Sequence, residues 1–328
     1  MITKLSVSNF KSVRQLDIEC KKVNLFIGEP NTGKSNILEV LGFIGWLGQP
    51  RDILLSDSIR FQNMPNLFYD QLLDQDIVVK ASITDKSYPN LDVVLKHHKS
   101  KFQFMERGKP FRAVNYEGKM DEAVLIPISG KMARIKLFRF KALDRYDSNQ
   151  SESLRPPNGD NLFSVVISSK SLRETMTEFF RKYGLKLVMK PHEKVFELQK
   201  EVDDLVFSYP YTLTSDTLRR IIFYTVAIAS NKDSVLVFEE PESNAFPYYT
   251  KYLGERIALD QTNQFFIATH NPYLLSAIIE KTRKEDVQVF ITYFKDFQTR
   301  VKPLMPDQVA ELMEADPFFN LDRFIEEE

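Results

Sequence analysis

Residues 28–35, near the start of the chain, read Gly28-Glu29-Pro30-Asn31-Thr32-Gly33-Lys34-Ser35. The apolar, β-prone run Val23–Ile27 precedes them, and an apolar pattern at helical spacing begins at Ile37. The order strand, G-x-x-x-x-G-K-S, helix is typical of loops that bind phosphate groups. Glycines in such a loop let backbone N–H groups surround an anion at the start of a helix. The stretch therefore predicts nucleotide binding.

The side chains of this loop have expected roles in holding a nucleotide. Lys34 is expected to reach the β- and γ-phosphates, and Ser35 is expected to ligate Mg²⁺. The other residues predicted to contact the nucleotide come from the same stretch and are Gly28, Asn31, Thr32, Gly33 and Asn36. Mg²⁺ is thus an implied cofactor beside the nucleotide.

Bulk composition narrows the class of protein. The chain has 328 residues, of which 43% are hydrophobic, so it can bury a sizeable core. The formal net charge of −1 gives no argument for nucleic-acid binding from total charge. Cys20 is the single cysteine, which excludes a disulfide framework and a cysteine-based zinc site. No signal peptide and no apolar run of membrane-spanning length are visible, so we expect a cytoplasmic protein without membrane contact.

Strand and helix patterns alternate in the second half of the chain. The uninterrupted apolar runs 234–238 and 264–268 are typical of central parallel strands, and helices are expected at 217–230 and 247–259. This alternation predicts an α/β fold around a mainly parallel sheet. Earlier runs, most of which alternate apolar and polar residues, predict an added antiparallel sheet with strands at 76–84, 91–96, 101–106, 123–127 and 135–140.

The whole chain, residues 1–328, is interpreted as a single domain with three parts. The nucleotide-binding core, which includes the antiparallel sheet, takes residues 1–145 and 215–305. A small helical lobe is expected at 146–214. Its first residues form a polar, turn-rich connection. Residues 306–328 are expected to form a C-terminal helix and an acidic tail.

Carboxylates end the first buried strand, in Phe238-Glu239-Glu240-Pro241-Glu242. A phosphate-loop enzyme needs acids at such a strand end, one for the metal and one to polarise the attacking water. We assign Glu239 to the metal and Glu240 to the water. The competing interpretation is that these acids cap a helix or face solvent, and the phosphate loop upstream makes it the weaker one.

The second buried strand ends in Ala268-Thr269-His270-Asn271-Pro272. A histidine at the carboxyl end of a parallel strand lies where ligands bind in α/β sheets. His270 is therefore predicted to be a catalytic residue that hydrogen-bonds the γ-phosphate or the attacking water. A lone histidine is more often packed or caps a helix, but the order and spacing of the motifs favour the catalytic role.

Together these motifs resemble the ATP-binding-cassette (ABC) ATPases of the RecF/SMC/OLD branch. Asn9-Phe10-Lys11-Ser12 and Lys34-Ser35-Asn36-Ile37-Leu38 are similar to the N-F-K-S and G-K-S-N-[IL]-L pieces common there. The run Leu154–Leu162 resembles a motif of short OLD-like bacterial AAA family ATPases. The resemblance spans roughly residues 1–305 and implies an ABC-type head of the P-loop NTPase fold, with ATP as its nucleotide.

In that family two heads sandwich two ATP molecules, so the resemblance implies a homodimer or a higher homo-oligomer. The signature segment of one head touches the γ-phosphate on the other, and Ser215 is the matching residue here. Family members usually have glycine nearby, whereas Asp216 and Thr217 follow in this chain and bring a carboxylate close to the phosphate. Glu239 stands where many members have Asp. Gln49 is a weak candidate for the family's glutamine loop.

The OLD nucleases carry a Toprim domain after the histidine, but only 58 residues (328 − 270) follow His270. This polypeptide is therefore not expected to cut nucleic acid itself. DNA is a possible partner that the sequence does not show, because the basic stretches 96–101 and 131–136 are equally well explained by exposed strands.

Three functions remain open at this point. The first is an ATPase switch that closes and opens a dimer in DNA maintenance, DNA repair or phage defence, together with an effector protein (a nuclease or toxin) encoded nearby. The second is a scaffold that binds ATP to assemble with partners and hydrolyses it negligibly, which the missing signature glycine favours. The third is a small-molecule kinase, which does not need the Glu-Glu-Pro and Thr-His motifs.

Overall fold

A computed structural model describes residues 1–50, 53–84, 90–120, 130, 132–314, 317–319 and 321–325. The strands of this part of the chain are β1 (Ile2–Phe10), β2 (Val13–Glu19), β3 (Val23–Ile27), β4 (Ile77–Ile83), β5 (Leu91–His98), β6 (Lys101–Glu106), β7 (Lys109–Val114), β8 (Ile135–Phe138), β9 (Lys186–Lys190), β10 (Val195–Val202), β11 (Leu205–Pro210), β12 (Val235–Glu239), β13 (Gln264–Ala268), β14 (Val287–Lys295) and β15 (Gln298–Pro303). The α-helices are α1 (Lys34–Leu47), α2 (Leu55–Ser58), α3 (Leu162–Ser168), α4 (Lys170–Arg181), α5 (Asp216–Ser230), α6 (Pro247–Leu259), α7 (Pro272–Lys281) and α8 (Pro306–Glu314).

The central sheet has the strand order β15-β14-β3-β13-β12-β8. Its five strands from β14 to β8 run parallel, and β15 adds an antiparallel edge. The predicted α/β fold with a mainly parallel sheet is confirmed. Because the strands are parallel, the chain segments that follow β3, β13, β12 and β8 all leave the sheet at its carboxyl edge.

A second sheet is antiparallel, in the order β2-β1-β4-β5-β6-β7, which confirms the predicted added sheet. The strand predicted at 123–127 falls outside the described residues. The one predicted at 135–140 does not belong here, because it ends at Phe138 and pairs in parallel with β12. Ile135, Leu137 and Phe138 are all buried, as expected for a strand covered on both faces.

The lobe predicted to be helical at 146–214 contains α3 and α4, but it also contains the three-stranded sheet β11-β10-β9. The sequence pattern did not reveal this sheet, because charged residues lie at both ends of β9 and within β10, and β11 is exposed throughout. All six residues of β11 are exposed, so no alternation of buried and exposed positions marks that strand.

Two apolar clusters lie on the two faces of the central sheet. On one face, β3 contributes Val23, Leu25 and Ile27 to a cluster shared with α5, α6, α7 and the lobe. On the other face, Phe26 packs with α1 and the antiparallel sheet. Helix α1 is therefore enclosed between the two sheets, and twelve of its fourteen residues are buried. This packing fixes the helix that follows the phosphate-binding loop.

Helix α1 approaches β8 closely enough to exclude a side chain at Gly45. A Cβ atom at this position would lie 2.3 Å from the backbone oxygen of Ile135. Gly45 is thus needed for close contact rather than for an unusual backbone conformation. The contact matters for the site, because it sets the distance between α1 and the strand that ends at Phe138.

Substitution Gly45→Ala tests this contact. Overpacking against backbone outweighs the better helix propensity of alanine, so we expect the free energy of unfolding to fall by about 1–2 kcal/mol. Urea denaturation measures it, with Gly130→Ala as the matched control, since no atom lies within 4 Å of a Cβ built there. Equal stability of the two variants would contradict the proposed close contact.

Candidate active site

The phosphate-binding loop joins β3 to α1 as the sequence predicted. Gly33 is the N-cap of α1 and has φ 97°, a conformation that glycine tolerates best. The ammonium group of Lys34 donates hydrogen bonds to the carbonyl oxygens of Gly28 and Glu29, both at 2.7 Å. The Thr32 hydroxyl donates to Glu29 at 2.9 Å. Carbonyl oxygens of the loop therefore hold the Lys34 side chain against the loop itself.

Hydrogen bonds from neighbouring side chains support the phosphate-binding loop. The Ser12 and Thr299 hydroxyls lie 2.7 Å apart, and the Thr299 hydroxyl donates to the backbone oxygen of Thr32 at 3.0 Å. Asn36 donates its side-chain amide to Ser12 at 2.6 Å. A Cβ at Gly33 would lie 1.9 Å from the Thr299 hydroxyl. The predicted nucleotide contact Asn36 thus also holds the loop, and Thr299 is a supporting residue that the sequence did not indicate.

Glu240 and His270 lie at the ends of the neighbouring strands β12 and β13. Their closest atoms, Glu240 Oε1 and His270 Nδ1, are 3.2 Å apart. Glu240 has φ 43°, and its backbone N–H donates to Ala268 at 2.9 Å. The structure therefore brings the two predicted catalytic residues together at the sheet edge that also carries the phosphate-binding loop.

Glu239, the predicted metal ligand, is bound by two arginines. Arg60 Nη2 donates to Glu239 Oε1 at 2.9 Å, while Arg139 Nη2 and Nε donate to Oε2 at 3.1 and 3.3 Å. Arg139 directly follows β8, and Arg60 follows the short helix α2. Sequence patterns missed both arginines, because the separations from Glu239 are 179 and 100 residues.

The same arginines also bind Glu39, whose side chain has no solvent exposure. Arg60 Nε lies 2.9 Å and Arg139 Nη2 lies 2.7 Å from Glu39 Oε1, and Lys11 forms a further ion pair with this carboxylate. Burial disfavours the charged form of Glu39, but Lys11, Arg139 and Arg60 outweigh it and leave its pKa below the ordinary value. Glu39 is therefore an ionised, buried anchor for three cations.

The phosphate-binding loop, Glu239, Glu240 and the two arginines line a cleft of about 730 Å³. Residues 30–36 form one wall, and the opposite side chains include Arg60, Arg139, Arg220, Tyr224, Glu239 and Glu240. Together with Lys34, the arginines place four cationic groups around two carboxylates, which suits a polyanionic ligand with a cation. A wider groove of about 900 Å³ shares Ser12 and Arg60 with this cleft and is flanked by Tyr69 and Phe297.

The cleft has the chemistry that Mg²⁺ needs when it arrives with a phosphate ligand. Mg²⁺ is usually held by one or two protein groups together with substrate phosphates and waters. Ser35 and Glu239 both line the cleft and can supply such groups. In the described part of the chain, no cluster of three or more His, Cys, Asp or Glu residues could hold a metal by itself. This donor set fits a metal that binds together with a nucleotide.

Four predicted positions do not line the cleft, but two of them contact residues that do: Gly28 accepts from Lys34, and His270 lies beside Glu240. The other two, Ser215 and Gln49, lie away from it. Ser215 is the N-cap of α5, where its hydroxyl accepts from the backbone N–H of Leu218, and it is not among the cleft residues. Gln49 follows the carboxyl end of α1, which is about 20 Å long at 1.5 Å per residue. Gln49 therefore cannot serve as the glutamine loop. Arg139 stands instead beside Glu239, and no glutamine lines the cleft among the described residues.

Glu242 is a third acid of the same motif and is buried. The Thr269 hydroxyl donates to its Oε1, and Thr269 also accepts from the backbone N–H of Asn271 at 3.0 Å. The other oxygen of Glu242 has no partner within the described residues. Burial raises the pKa of Glu242 to about 7, although the Thr269 hydrogen bond opposes the shift. Glu242 thus links the segment after β12 to the segment that carries His270.

Comparisons with known proteins agree with this geometry. The family model "AAA ATPase domain" matches residues 1–116, and "AAA domain, putative AbiEii toxin, Type IV TA system" matches residues 136–276. No curated protein matches the sequence. An SMC head bound to the C-winged helix domain of ScpA superposes with a TM-score of 0.62 at 12% identity, covering 94% of this chain and 99% of that one.

A second SMC head, with an extended coiled coil and bound to the C-terminal domain of ScpA from Pyrococcus furiosus, gives a TM-score of 0.55 at 14% identity, with 95% and 98% coverage. Fold, cleft and matches define a P-loop ATPase that binds a nucleotide. More narrowly, two AAA ATPase family models match separate parts of the chain, and its fold is that of SMC heads. The finer resemblance to OLD-like ATPases stays a prediction.

Glu242→Gln tests the buried acid. Because the folded-state pKa is about 7, above the ordinary value, the folded chain binds this proton more tightly than the unfolded chain. This stabilisation is complete below the ordinary pKa and is lost as pH rises through 7. From pH 5 to pH 8 we expect the unfolding free energy of the wild type to fall by roughly 2–3 kcal/mol relative to Glu242→Gln.

Urea denaturation of both proteins over this pH range, without nucleotide, measures the difference. Comparing the variant with the wild type cancels the contributions of all other titrating groups. A difference in stability that stays constant with pH would show that Glu242 is not the group that titrates.

Proposed function

We propose that this chain is an ATP-driven switch in which two heads close around ATP and Mg²⁺, hydrolyse ATP and reopen. The observation that carries this proposal is the pair Glu240 and His270, 3.2 Å apart, at the sheet edge that also bears the phosphate-binding loop. In this role Glu240 orients and polarises the attacking water, and His270 holds Glu240 and contacts the γ-phosphate. Bound Mg²⁺ would neutralise charge on the phosphates, with Ser35 and Glu239 as its protein ligands.

Exposed apolar side chains support a second copy as the partner. Phe246 and Tyr248 lie where α6 begins, and Tyr273 lies in the first turn of α7, so all three are near the carboxyl edge of the sheet. Leu213 is also exposed, two residues before Ser215. Exposed apolar groups gathered on one face are typical of interaction surfaces. Three of these side chains follow the strand ends that carry Glu240 and His270, and Leu213 precedes the signature residue Ser215.

The signature segment is tied to the catalytic edge. The Thr217 hydroxyl donates to the backbone oxygen of Asn244 at 2.7 Å, which connects α5 to the segment after Glu240. Asp216, which stands where family members have glycine nearby, forms an ion pair with Arg219. The pair reduces the repulsion that Asp216 would exert on a γ-phosphate. We therefore propose that Ser215 serves the site of the partner head despite this departure.

For the biological role, we propose DNA maintenance or phage defence with a separate effector. The toxin and type IV TA system in one matching family's description, and the ScpA domains bound to the two similar SMC heads, support an ATPase that works with another protein. Direct DNA contact is not part of the proposal. In the described residues no helix is long and apolar enough to span a bilayer.

An ATP-binding scaffold with negligible turnover is the second candidate. The observation that favours it is the absence of glycine from Ser215-Asp216-Thr217. The scaffold and the switch differ in whether Glu240 limits the rate of hydrolysis and the lifetime of the assembly.

Glu240→Gln separates the two candidates. Removing the group that polarises water should lower steady-state ATP hydrolysis by at least about 100-fold. ATP should then hold the dimer closed, because hydrolysis no longer reopens it. Phosphate release and light scattering in ATP measure both effects, and Glu174→Gln, an exposed position on α4, is the matched control. Equal and negligible hydrolysis by wild type and variant, with an ATP-stabilised assembly, would favour the scaffold.

A mixing experiment tests whether each site needs two chains. Lys34→Ala disables the phosphate-binding loop, and Ser215→Arg blocks the signature segment, so each variant alone should be inactive. A mixed dimer keeps one intact site, so a 1:1 mixture should recover roughly a quarter of wild-type activity if the dimer is two-fold symmetric.

Nucleotide binding by Ser215→Arg should be retained, which shows that its own cleft is intact. No recovery on mixing two folded variants, under conditions where they exchange partners, would contradict a site shared between heads.

A further inference from the structure

Arg139 has a fixed place beside the proposed metal ligand. Its backbone N–H donates to the carbonyl oxygen of Pro157 at 2.9 Å. The Leu154–Leu162 run therefore fixes the backbone position from which the Arg139 side chain extends. Its guanidinium group reaches Glu239 and the buried Glu39 at once. Asn161 braces the same run, because its side-chain oxygen accepts from the backbone N–H of Arg155 and its amide donates to two backbone oxygens just before the run. The OLD-like motif therefore positions an arginine in the ATP cleft.

The contacts of Arg139 compete with those that Mg²⁺ would make. Both oxygens of Glu239 accept hydrogen bonds from arginines, Oε1 from Arg60 and Oε2 from Arg139. A cationic guanidinium and a divalent cation on one carboxylate repel each other, so binding of either weakens binding of the other. Arg139 is the stronger competitor, since its side chain is 21% exposed and that of Arg60 is 60% exposed.

A triphosphate gives Arg139 another acceptor in the same cleft. Arginine binds phosphate oxygens in the same forked geometry as it binds a carboxylate. Arg139 and the phosphate-binding loop line one cleft, so a nucleotide phosphate can come within reach of the guanidinium. Glu39 can keep Nη2 anchored while Nε and the second hydrogen bond of Nη2 exchange Glu239 for a phosphate oxygen.

We propose that Arg139 is a positioning residue that occupies Glu239 and releases it to Mg²⁺ by moving onto the phosphates of ATP. The inference rests on the proposed role of Glu239 as metal ligand. Its consequence is that Mg²⁺ binds well only together with the nucleotide, because the nucleotide draws the competing cation away. The same residue then contributes to nucleotide affinity when no metal is present.

The test uses Mn²⁺ as a paramagnetic probe and a fluorescent ATP analogue. In the full-length protein without nucleotide, Arg139→Gln should bind Mn²⁺ at least about tenfold more tightly than the wild type, because Glu239 is released. In EDTA, the same variant should bind the ATP analogue at least about tenfold more weakly, because a charged contact to phosphate is lost. A residue that only stabilises the fold would not move these two affinities in opposite directions.

Three further proteins make the result specific. Adding Glu239→Gln to Arg139→Gln should abolish the gain in Mn²⁺ affinity, and Arg139→Lys, which cannot hold two carboxylates in one fork, should give an intermediate gain. Arg181→Gln, an exposed arginine on α4, should match the wild type. If Arg139→Gln does not fold, as judged by circular dichroism, the Lys variant carries the test.

Two outcomes would overturn the proposal. The first is an Mn²⁺ affinity of folded Arg139→Gln no higher than that of the wild type, including no detectable binding to either. The second is an unchanged affinity for the ATP analogue in EDTA. A separate control tests whether Glu239 binds the metal at all. If it does not, Glu239→Gln alone will leave the Mg²⁺ dependence of nucleotide binding unchanged.

Discussion

The site depends on the ion pairs that the buried carboxylate of Glu39 makes. This residue lies on α1, one turn beyond the phosphate-binding loop, and binds Lys11, Arg60 and Arg139 from three different parts of the chain. An ion buried in this way is costly unless its charge is paired, and loss of a partner typically costs about 3–5 kcal/mol. The network therefore brings cations from three parts of the chain to one point beside α1.

This arrangement explains how a loop and two strand ends become one cleft. The parallel sheet brings the ends of β3, β12 and β13 to a common edge, but it does not determine where charges point. Glu39 orients Arg60 and Arg139, and these two orient Glu239. Lys34, in turn, is held by carbonyl oxygens of its own loop. Lys34, Arg60 and Arg139 thus each have a protein acceptor that a phosphate oxygen can replace, so ligand binding exchanges their hydrogen bonds rather than creating them from isolated charges.

Local patterns were enough to predict the phosphate-binding loop, the buried strands and the acids at their ends. These features can be recognised from neighbouring residues. The glycines of the loop identify Lys34, and the apolar run before Glu240 identifies that acid. Arg139 and Glu39 carry no such local mark, because their roles arise from contacts across 100 residues. The sheet β9 to β11 was missed for another reason. Its strand β11 is exposed on both faces, so the periodicity that identifies half-buried strands is absent.

In the proposed dimer, Ser215 serves the partner's site, because it lies outside the cleft of its own chain. The phosphate-binding loop, Glu240, His270 and the arginines converge within a single head, whereas Ser215 caps α5 outside that cleft. The bond from Thr217 to Asn244 ties this outlying segment to the strand end that carries Glu240. A γ-phosphate bound by Ser215 of a second head would therefore act on both the signature helix and the catalytic edge of that head. In the proposed dimer, this direct hydrogen bond would couple closure of one site to the other without a large rearrangement of the core.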